Sequence, residues 1–144
     1  MRKLILTLST VALAVTAAYA DPIVDRKAIM KERGGLIGGL AKMVKGEADF
    51  DAAIALATLK KLQANAAKLD IDVLFAPGTD KGDTKAAPKI WEDMTGFKEA
   101  NHKLREATDE AVASPPTDVK ALDAQVSAIG GACGGCHKTY RLPS

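Results

Sequence analysis

Two cysteines and a histidine lie within five consecutive residues near the C-terminal end of the sequence. They belong to the string Cys133-Gly134-Gly135-Cys136-His137, and the chain has no other cysteine. The pattern C-x-x-C-H is the attachment signature of a c-type haem. On a helix, two thiols three residues apart can each reach one vinyl group of a porphyrin, and the next residue then places an imidazole under the iron. The motif therefore predicts one haem c, bound covalently through Cys133 and Cys136, with His137 as the proximal iron ligand.

Two other chemistries use the same residue types. A zinc site built on this motif needs a fourth ligand or a water molecule, and the only other histidine is His102. A thioredoxin-like dithiol is expected at a strand-to-helix junction of an α/β domain, whereas this chain has no clear strand pattern. A disulfide between Cys133 and Cys136 would close a very small loop and would hardly constrain the unfolded chain. Haem attachment is therefore favoured, and a thiol-disulfide oxidoreductase is the weaker alternative.

The first 20 residues have the pattern of a secretory signal peptide. Arg2 and Lys3 form a positive start, residues 4–15 are mostly apolar, and the Ala-Tyr-Ala of residues 18–20 fits the small-x-small cleavage rule. The 20 basic residues of the chain include these two, which leaves 18 basic against 18 acidic residues and a formal charge of 0 instead of +2. We therefore expect one exported, periplasmic domain over residues 21–144. Its charge balance gives no reason to expect nucleic acid as a partner, and no segment of it is apolar enough to span a membrane.

Helical patterns dominate this domain, since Ala, Leu, Lys and Glu are abundant and alternating Val, Ile and Thr runs are absent. Helices are predicted at about 22–46, 49–69, 88–113 and 117–140, and Thr117 is a candidate cap for the fourth. Four amphipathic helices predict an all-α fold in which they pack as an antiparallel up-down four-helix bundle. Both cysteines fall on the apolar stripe of the fourth helix, which places the haem in the bundle core. The long connection between the second and third helices is expected to cross the bundle or to cover a site.

Glycines are concentrated in the first predicted helix, at Gly34, Gly35, Gly38 and Gly39. Each costs about 0.8–1.0 kcal/mol relative to alanine in a helix interior. A glycine face is useful where a bulky group approaches the backbone closely. The alternative is that the helix breaks at this point.

Several short segments together resemble the cytochrome c′ family. Besides the four-helix plan and the C-terminal C-x-x-C-H, they are Lys-Thr-Tyr-Arg at 138–141, Leu-Phe-Ala-Pro-Gly-Thr at 74–79, Pro-Lys-Ile-Trp at 88–91, and Arg26-x-x-x-Met30. The resemblance covers essentially all of residues 21–144. It implies exported haem proteins, often homodimers through the first two helices, that carry electrons or bind small gases such as nitric oxide. Because no catalytic triad, carboxylate pair or phosphate-binding loop is evident, we predict an electron carrier with redox proteins as partners, not an enzyme.

The cytochrome c′ family has two branches, which differ in what occupies the iron position opposite the proximal histidine. In one branch an apolar side chain blocks this face and the iron is five-coordinate and high-spin. In the other branch a methionine sulfur binds and the iron is six-coordinate and low-spin. The deciding position matches Met30, and we predict that its thioether is the distal ligand, which would raise the reduction potential. Methionine is also a common core filler, so a high-spin protein that binds NO or CO is the alternative.

Further residues are implicated at the edge of the haem by the resemblance. Arg26 is implied to lie close to a propionate, which its fork of donors suits, with Lys27 beside it. From helical spacing, Arg141, one turn after the proximal histidine, would shield that ligand or contact a propionate, with a last-turn cation favoured by the helix dipole as the alternative. Trp91 is implied to pack near the porphyrin edge, with core packing as the alternative. His102 lies off the apolar stripe of its helix, so we expect it to be exposed and unrelated to the iron.

Overall fold

The computed structural model of the protein describes residues 21–143, and the predicted signal peptide lies outside the described residues. Within this range the chain forms the following helices: α1 (Pro22–Val44), α2 (Ala52–Ala67), α3 (Ile71–Leu74), α4 (Lys89–Glu92), α5 (Met94–Ala113) and α6 (Val119–Tyr140). The four long helices pack in a ring, since α1 contacts α2 and α6, and α5 contacts α2 and α6. The predicted all-α four-helix bundle is confirmed. No helix in the described range is long and apolar enough to cross a membrane.

Aspartate side chains begin all four long helices. Asp21, Asp51, Asp93 and Asp118 each accept a hydrogen bond from a backbone N–H in the first turn of the helix that follows. Such caps satisfy donors that have no partner within the helix, and a carboxylate also suits the positive end of the helix dipole. The prediction that Thr117 caps the fourth helix is wrong, because the next residue takes that role.

The helix predicted over 88–113 is divided in two at Asp93. The backbone of Asp93 leaves the helical region, with φ −136° and ψ 58°, and α5 starts afresh behind it. Its carboxylate accepts hydrogen bonds from Gly96 N at 3.1 Å and from the Tyr140 hydroxyl at 2.9 Å. These two bonds lower the pKa of Asp93 below its usual value. The hydrogen bond from Tyr140 therefore joins the end of α6 to the start of α5, although Asp93 and Tyr140 are 47 positions apart.

Gly96 is expected to tolerate no side chain at this junction. A Cβ on Gly96 would lie 2.5 Å from Asp93 Oδ2 and would also collide with the Tyr140 hydroxyl. Gly96→Ala is therefore expected to lower the free energy of unfolding by on the order of 1–3 kcal/mol, measured by chemical denaturation. Gly130→Ala on α6 is the control, because a Cβ there meets nothing within 4 Å and alanine favours the helix. Equal stabilities of the two variants would contradict the clash.

The glycines of the first helix do not break it. α1 is continuous from Pro22 to Val44, and a Cβ built on any of the four glycines would meet no other atom within 4 Å. The alternative that the helix ends there is therefore wrong. Within the chain itself, no close packing requires these glycines; one of them, Gly34, faces the cavity described below.

Buried side chains form two clusters. The bundle core lies between the long helices and contains Leu40, Leu59, Leu62, Leu122 and Ile129 among others. The aromatic core lies between the α2–α5 connection, α5 and the end of α6, and it is built on edge-to-face contacts of the Phe75, Phe97 and Tyr140 rings. Cys133 packs against the bundle core and Cys136 against the aromatic core. The motif on α6 therefore joins the two clusters.

Candidate functional site

A cavity of about 420 Å³ opens between α1, the end of α6 and the connection that precedes α4. It brings together six of the residues that the sequence singled out: Arg26, Lys27, Met30, Cys136, His137 and Arg141. Cys133 is not among the lining residues, because its side chain is turned towards the bundle core. Apolar walls are supplied by Ile37, Phe75, Ile90 and Phe97. The cavity therefore has an apolar interior and charged residues among its walls.

The α1 wall of the cavity is a single helix face. Arg26, Met30 and Arg33 are spaced by four and three residues, which places them one above another along the helix. Arg26 is only 5% exposed, its guanidinium lies 4.6 Å from the centre of the Phe75 ring, and Nη2 donates to Thr79 O at 2.6 Å. Its Nε and Nη1 are buried without a hydrogen-bond partner. Desolvation lowers the pKa of Arg26, while the charge of Asp21 opposes this shift.

The α6 wall carries the thiol and imidazole groups. Burial raises the pKa of both thiols, Cys133 and Cys136, which keeps them protonated until they react. Partial desolvation lowers the pKa of His137, and the positive charges of Arg141 and Arg33 act in the same direction. The imidazole of His137 is therefore held in its neutral form, the form that binds a metal ion.

Two backbone hydrogen bonds beside the cavity join the connection that precedes α4 to the end of α6. Ala87 N donates to Tyr140 O at 3.0 Å, and Leu142 N donates to Lys85 O at 2.8 Å. This pairing fastens the α2–α5 connection to the residues that follow α6. The connection consequently covers the site, which is one of the two roles predicted from its length.

Arg33 is a cavity residue that sequence reasoning missed. It is 6% exposed, and its Nε donates to Asn65 Oδ1 at 2.9 Å. Its Nη1 lies 3.8 Å from Met30 Sδ, and its Nη2 is buried without a partner. Asn65, on α2, is fully buried and donates in turn to Ile29 O at 3.1 Å and to Glu32 Oε2 at 2.9 Å. The spacing of Arg33 from Met30 was a signal for its place on the helix face, but nothing in the sequence pointed to Asn65.

Other predicted residues have specific places around the cavity. Lys27 is exposed at the rim and forms an ion pair with Asp83, which lowers the pKa of that carboxyl group. Trp91 does not line the cavity; its Nε1 donates to Phe75 O at 2.9 Å, which agrees with the alternative of core packing. His102 is exposed and lies 3.3 Å from Glu106 on the same helix, far from the cavity lining.

The lining residues fit a flat apolar group that bears carboxylates. Three buried N–H groups, Arg26 Nε, Arg26 Nη1 and Arg33 Nη2, belong to residues that line the cavity and have no acceptor. Buried donors of charged groups are costly to leave unpaired, so the site is suited to an anionic acceptor. Together with the thiols, the neutral imidazole and the thioether of Met30, these donors match the chemistry of a haem with its propionates.

Comparisons with known proteins find relatives among the cytochromes. A family model described as Cytochrome C' matches residues 21–141. Cytochrome c-556 of Agrobacterium tumefaciens (strain II Chrys) is 37% identical over 123 residues, covering 85% of this chain and 98% of the relative. Cytochrome c' from Rhodopseudomonas palustris superposes with a TM-score of 0.80 at 35% identity, covering 88% of this chain and 99% of that one. The nitric oxide complex of a leucine-to-alanine mutant of cytochrome c prime from Alcaligenes xylosoxidans has a TM-score of 0.76 at 27% identity, with 88% and 99% covered.

Proposed function

This chain belongs to the cytochrome c′ family of c-type haem, electron-carrying proteins, and from that premise we propose that it is an exported one-electron carrier. In this proposal Cys133 and Cys136 hold one haem c through thioether bonds. His137 is the proximal iron ligand and Met30 is the distal one. The observation that supports the proposal best is the single cavity in which Met30, Cys136 and His137 lie together beside partnerless guanidinium donors.

Each residue contributes a distinct physical effect. Bound in this cavity, the haem supplies a reversible one-electron change of its iron. His137 offers a neutral nitrogen, and Met30 offers a polarisable sulfur that favours the reduced state. Arg26 offers its two free N–H groups to a propionate, and Arg141 offers its positive charge at the rim. The apolar walls exclude water, so that little solvent reorganises when the charge of the site changes.

Covalent attachment is tested by replacing both cysteines. Cys133→Ser/Cys136→Ser, produced with export and haem maturation in the same host as wild type, is expected to lose all covalently bound haem. Wild type should show haem mass on the intact polypeptide and a Soret band that survives denaturation; the double variant should show neither. His102→Gln is the control, since this exposed histidine lies outside the cavity and its loss should leave the optical spectrum unchanged.

The mass of the intact polypeptide also tests the alternative of a thiol-disulfide oxidoreductase. Free thiols at Cys133 and Cys136 with no added haem mass in wild type would overturn the proposal and favour a thiol-disulfide oxidoreductase. A covalent haem in wild type that is absent from the double variant would leave only the role of the haem to be decided.

A second candidate function is binding of a small gas by a five-coordinate, high-spin haem. One structural relative was solved as a nitric oxide complex, and the polar contact of the Met30 sulfur with Arg33 Nη1 is a long one, at 3.8 Å. Such a sulfur could be displaced or could merely block the position. Rapid binding of NO or CO to the reduced protein would favour this function, whereas slow binding limited by release of Met30 would favour the electron carrier.

Export, domain extent and assembly are further parts of the proposal. We propose that residues 1–20 direct the chain to the periplasm and are removed, which leaves a domain of 21–144. Its N-terminal residue after export would then be Asp21, which mass spectrometry of periplasmic protein can establish. The partners would be redox proteins, and a homodimer would form through α1 and α2. Because the mature chain has no net charge, docking on a redox partner would depend on a local patch.

A further inference from the structure

The guanidinium of Arg33 is a buried charge with an incomplete set of partners. The side chain is 6% exposed and Nη2 has no acceptor. Its Nε donates to Asn65 Oδ1, which is the oxygen of a neutral amide. Burial without a counter-charge lowers the pKa of Arg33, yet the guanidinium group remains protonated because its ordinary pKa is so high. A positive charge therefore faces the cavity.

No carboxylate in residues 21–143 forms an ion pair with this charge. Glu32 is the nearest acidic member of the network, but it bonds to Asn65 and to Lys68 instead. Cys133 and Cys136 also lie within electrostatic range of Arg33, but burial raises the pKa of both thiols and keeps them neutral. Thioether formation removes the ability of both sulfurs to ionise. After haem attachment neither cysteine sulfur can be an anionic partner of Arg33, which leaves a haem propionate or an added small anion for its free Nη2.

The position of Arg33 relative to Met30 indicates where an anion could accept hydrogen bonds from the guanidinium. Nη1 lies 3.8 Å from Met30 Sδ, so a small group that takes the place of the sulfur comes within reach of the guanidinium. Gly34 lines the same part of α1, and a Cβ built on it would meet nothing within 4 Å. Arg26 lies on the other side of Met30 along the helix and has its own bond to Thr79 O. The two arginines therefore lie on opposite sides of Met30 along α1, each with its own acceptor.

We propose that Arg33 makes this cavity a binding site for small linear anions of the azide class at the place of the Met30 sulfur. The proposal rests on the proposed function, because the anion donates a lone pair to the ferric iron where the sulfur would otherwise bind. Arg33 contributes charge-assisted hydrogen bonds to the bound anion. A neutral ligand gains much less from the same residue. Arg33 therefore decides which class of ligand the site accepts.

The test uses full-length holoprotein carrying Met30→Ala, which opens the position whether or not Met30 binds iron. Ferric protein is titrated with azide and ferrous protein with carbon monoxide, both followed optically. Adding Arg33→Gln is expected to weaken azide binding about tenfold, the usual size of a charge-assisted hydrogen bond, and to change carbon monoxide affinity by less than about twofold. Adding Lys31→Gln instead is the control, because it removes the same charge from an exposed position of α1.

Each outcome supports or overturns the proposal. Unchanged azide affinity in the Arg33→Gln variant would overturn it and would indicate that Arg33 bonds to a propionate. Equal losses for azide and carbon monoxide would also overturn it, because they would mean a general change of the cavity. If Arg33→Gln does not fold, Arg33→Met takes its place, because it keeps an unbranched side chain but removes the charge and the donors, and an azide affinity equal to that of the parent would again contradict the proposal. Wild-type protein without covalent haem, prepared in parallel, would instead overturn the proposed function itself.

Discussion

Met30→Ala is expected to convert the ferric protein completely from a low-spin to a high-spin spectrum. A thioether and an imidazole together form a ligand field strong enough for the low-spin state, whereas imidazole alone leaves the iron high-spin. The side chain of Met30 is half-buried on the cavity wall, where it packs against the aromatic core, and its sulfur lies 3.8 Å from Arg33 Nη1. Loss of the sulfur should also lower the reduction potential, because thioether ligation favours ferrous iron. Optical and electron paramagnetic resonance spectra measure the first effect, and a redox titration measures the second.

Two variants separate ligation from packing in this experiment. Met30→Leu keeps the apolar volume but removes the sulfur, so it should give the same high-spin spectrum as Met30→Ala with little loss of stability. Met43→Leu changes a methionine that packs against the bundle core and should leave the spectrum as in wild type. A wild-type protein that is already high-spin, and identical to Met30→Ala, would show that Met30 never binds iron. The gas-binding function would then be favoured.

Asn65→Ala is expected to cost about 2–4 kcal/mol of unfolding free energy, because it leaves a buried guanidinium donor and other buried groups without their partner. Asn65 is fully buried and makes three hydrogen bonds, to Arg33 Nε, Ile29 O and Glu32 Oε2. Alanine would leave the Arg33 guanidinium with no hydrogen-bond acceptor except the Met30 sulfur. The variant should also disturb the haem environment, because Arg33 is no longer held in place.

The matched control for this prediction is Asn101→Ala. Asn101 is also a buried asparagine, at 8% exposure, but its amide takes no part in a network with a buried charge. We expect its replacement to cost on the order of 1 kcal/mol or less. Both values come from chemical denaturation of holoprotein, with the Soret band and circular dichroism as separate probes. Similar losses in the two variants would mean that the Arg33–Asn65 bond contributes nothing special to stability.

The sequence by itself determined the features that depend on neighbouring residues. Helix geometry alone places the three side chains of the C-x-x-C-H motif near one another, since Cys136 and His137 are adjacent and Cys133 lies one turn away. Helical spacing likewise placed Arg26 and Met30 on one face of α1, and the cavity contains both. The all-α fold could be predicted because composition and apolar periodicity act within each helix. These inferences needed no knowledge of how the helices pack.

Only the tertiary structure decided which distant residues meet. Asn65 reaches Arg33 across 32 positions because α2 packs against α1, and no local pattern records that contact. The break at Asp93 also involves a long-range contact. Local patterns predict a continuous helix there, but in the folded chain the Asp93 carboxylate accepts a hydrogen bond from Tyr140, 47 residues away. Local chemistry therefore predicted the cofactor, whereas long-range packing decided which charges face the cavity. The physical reason is that helix geometry is set within a few residues, while buried polar groups must find partners wherever the fold brings them together.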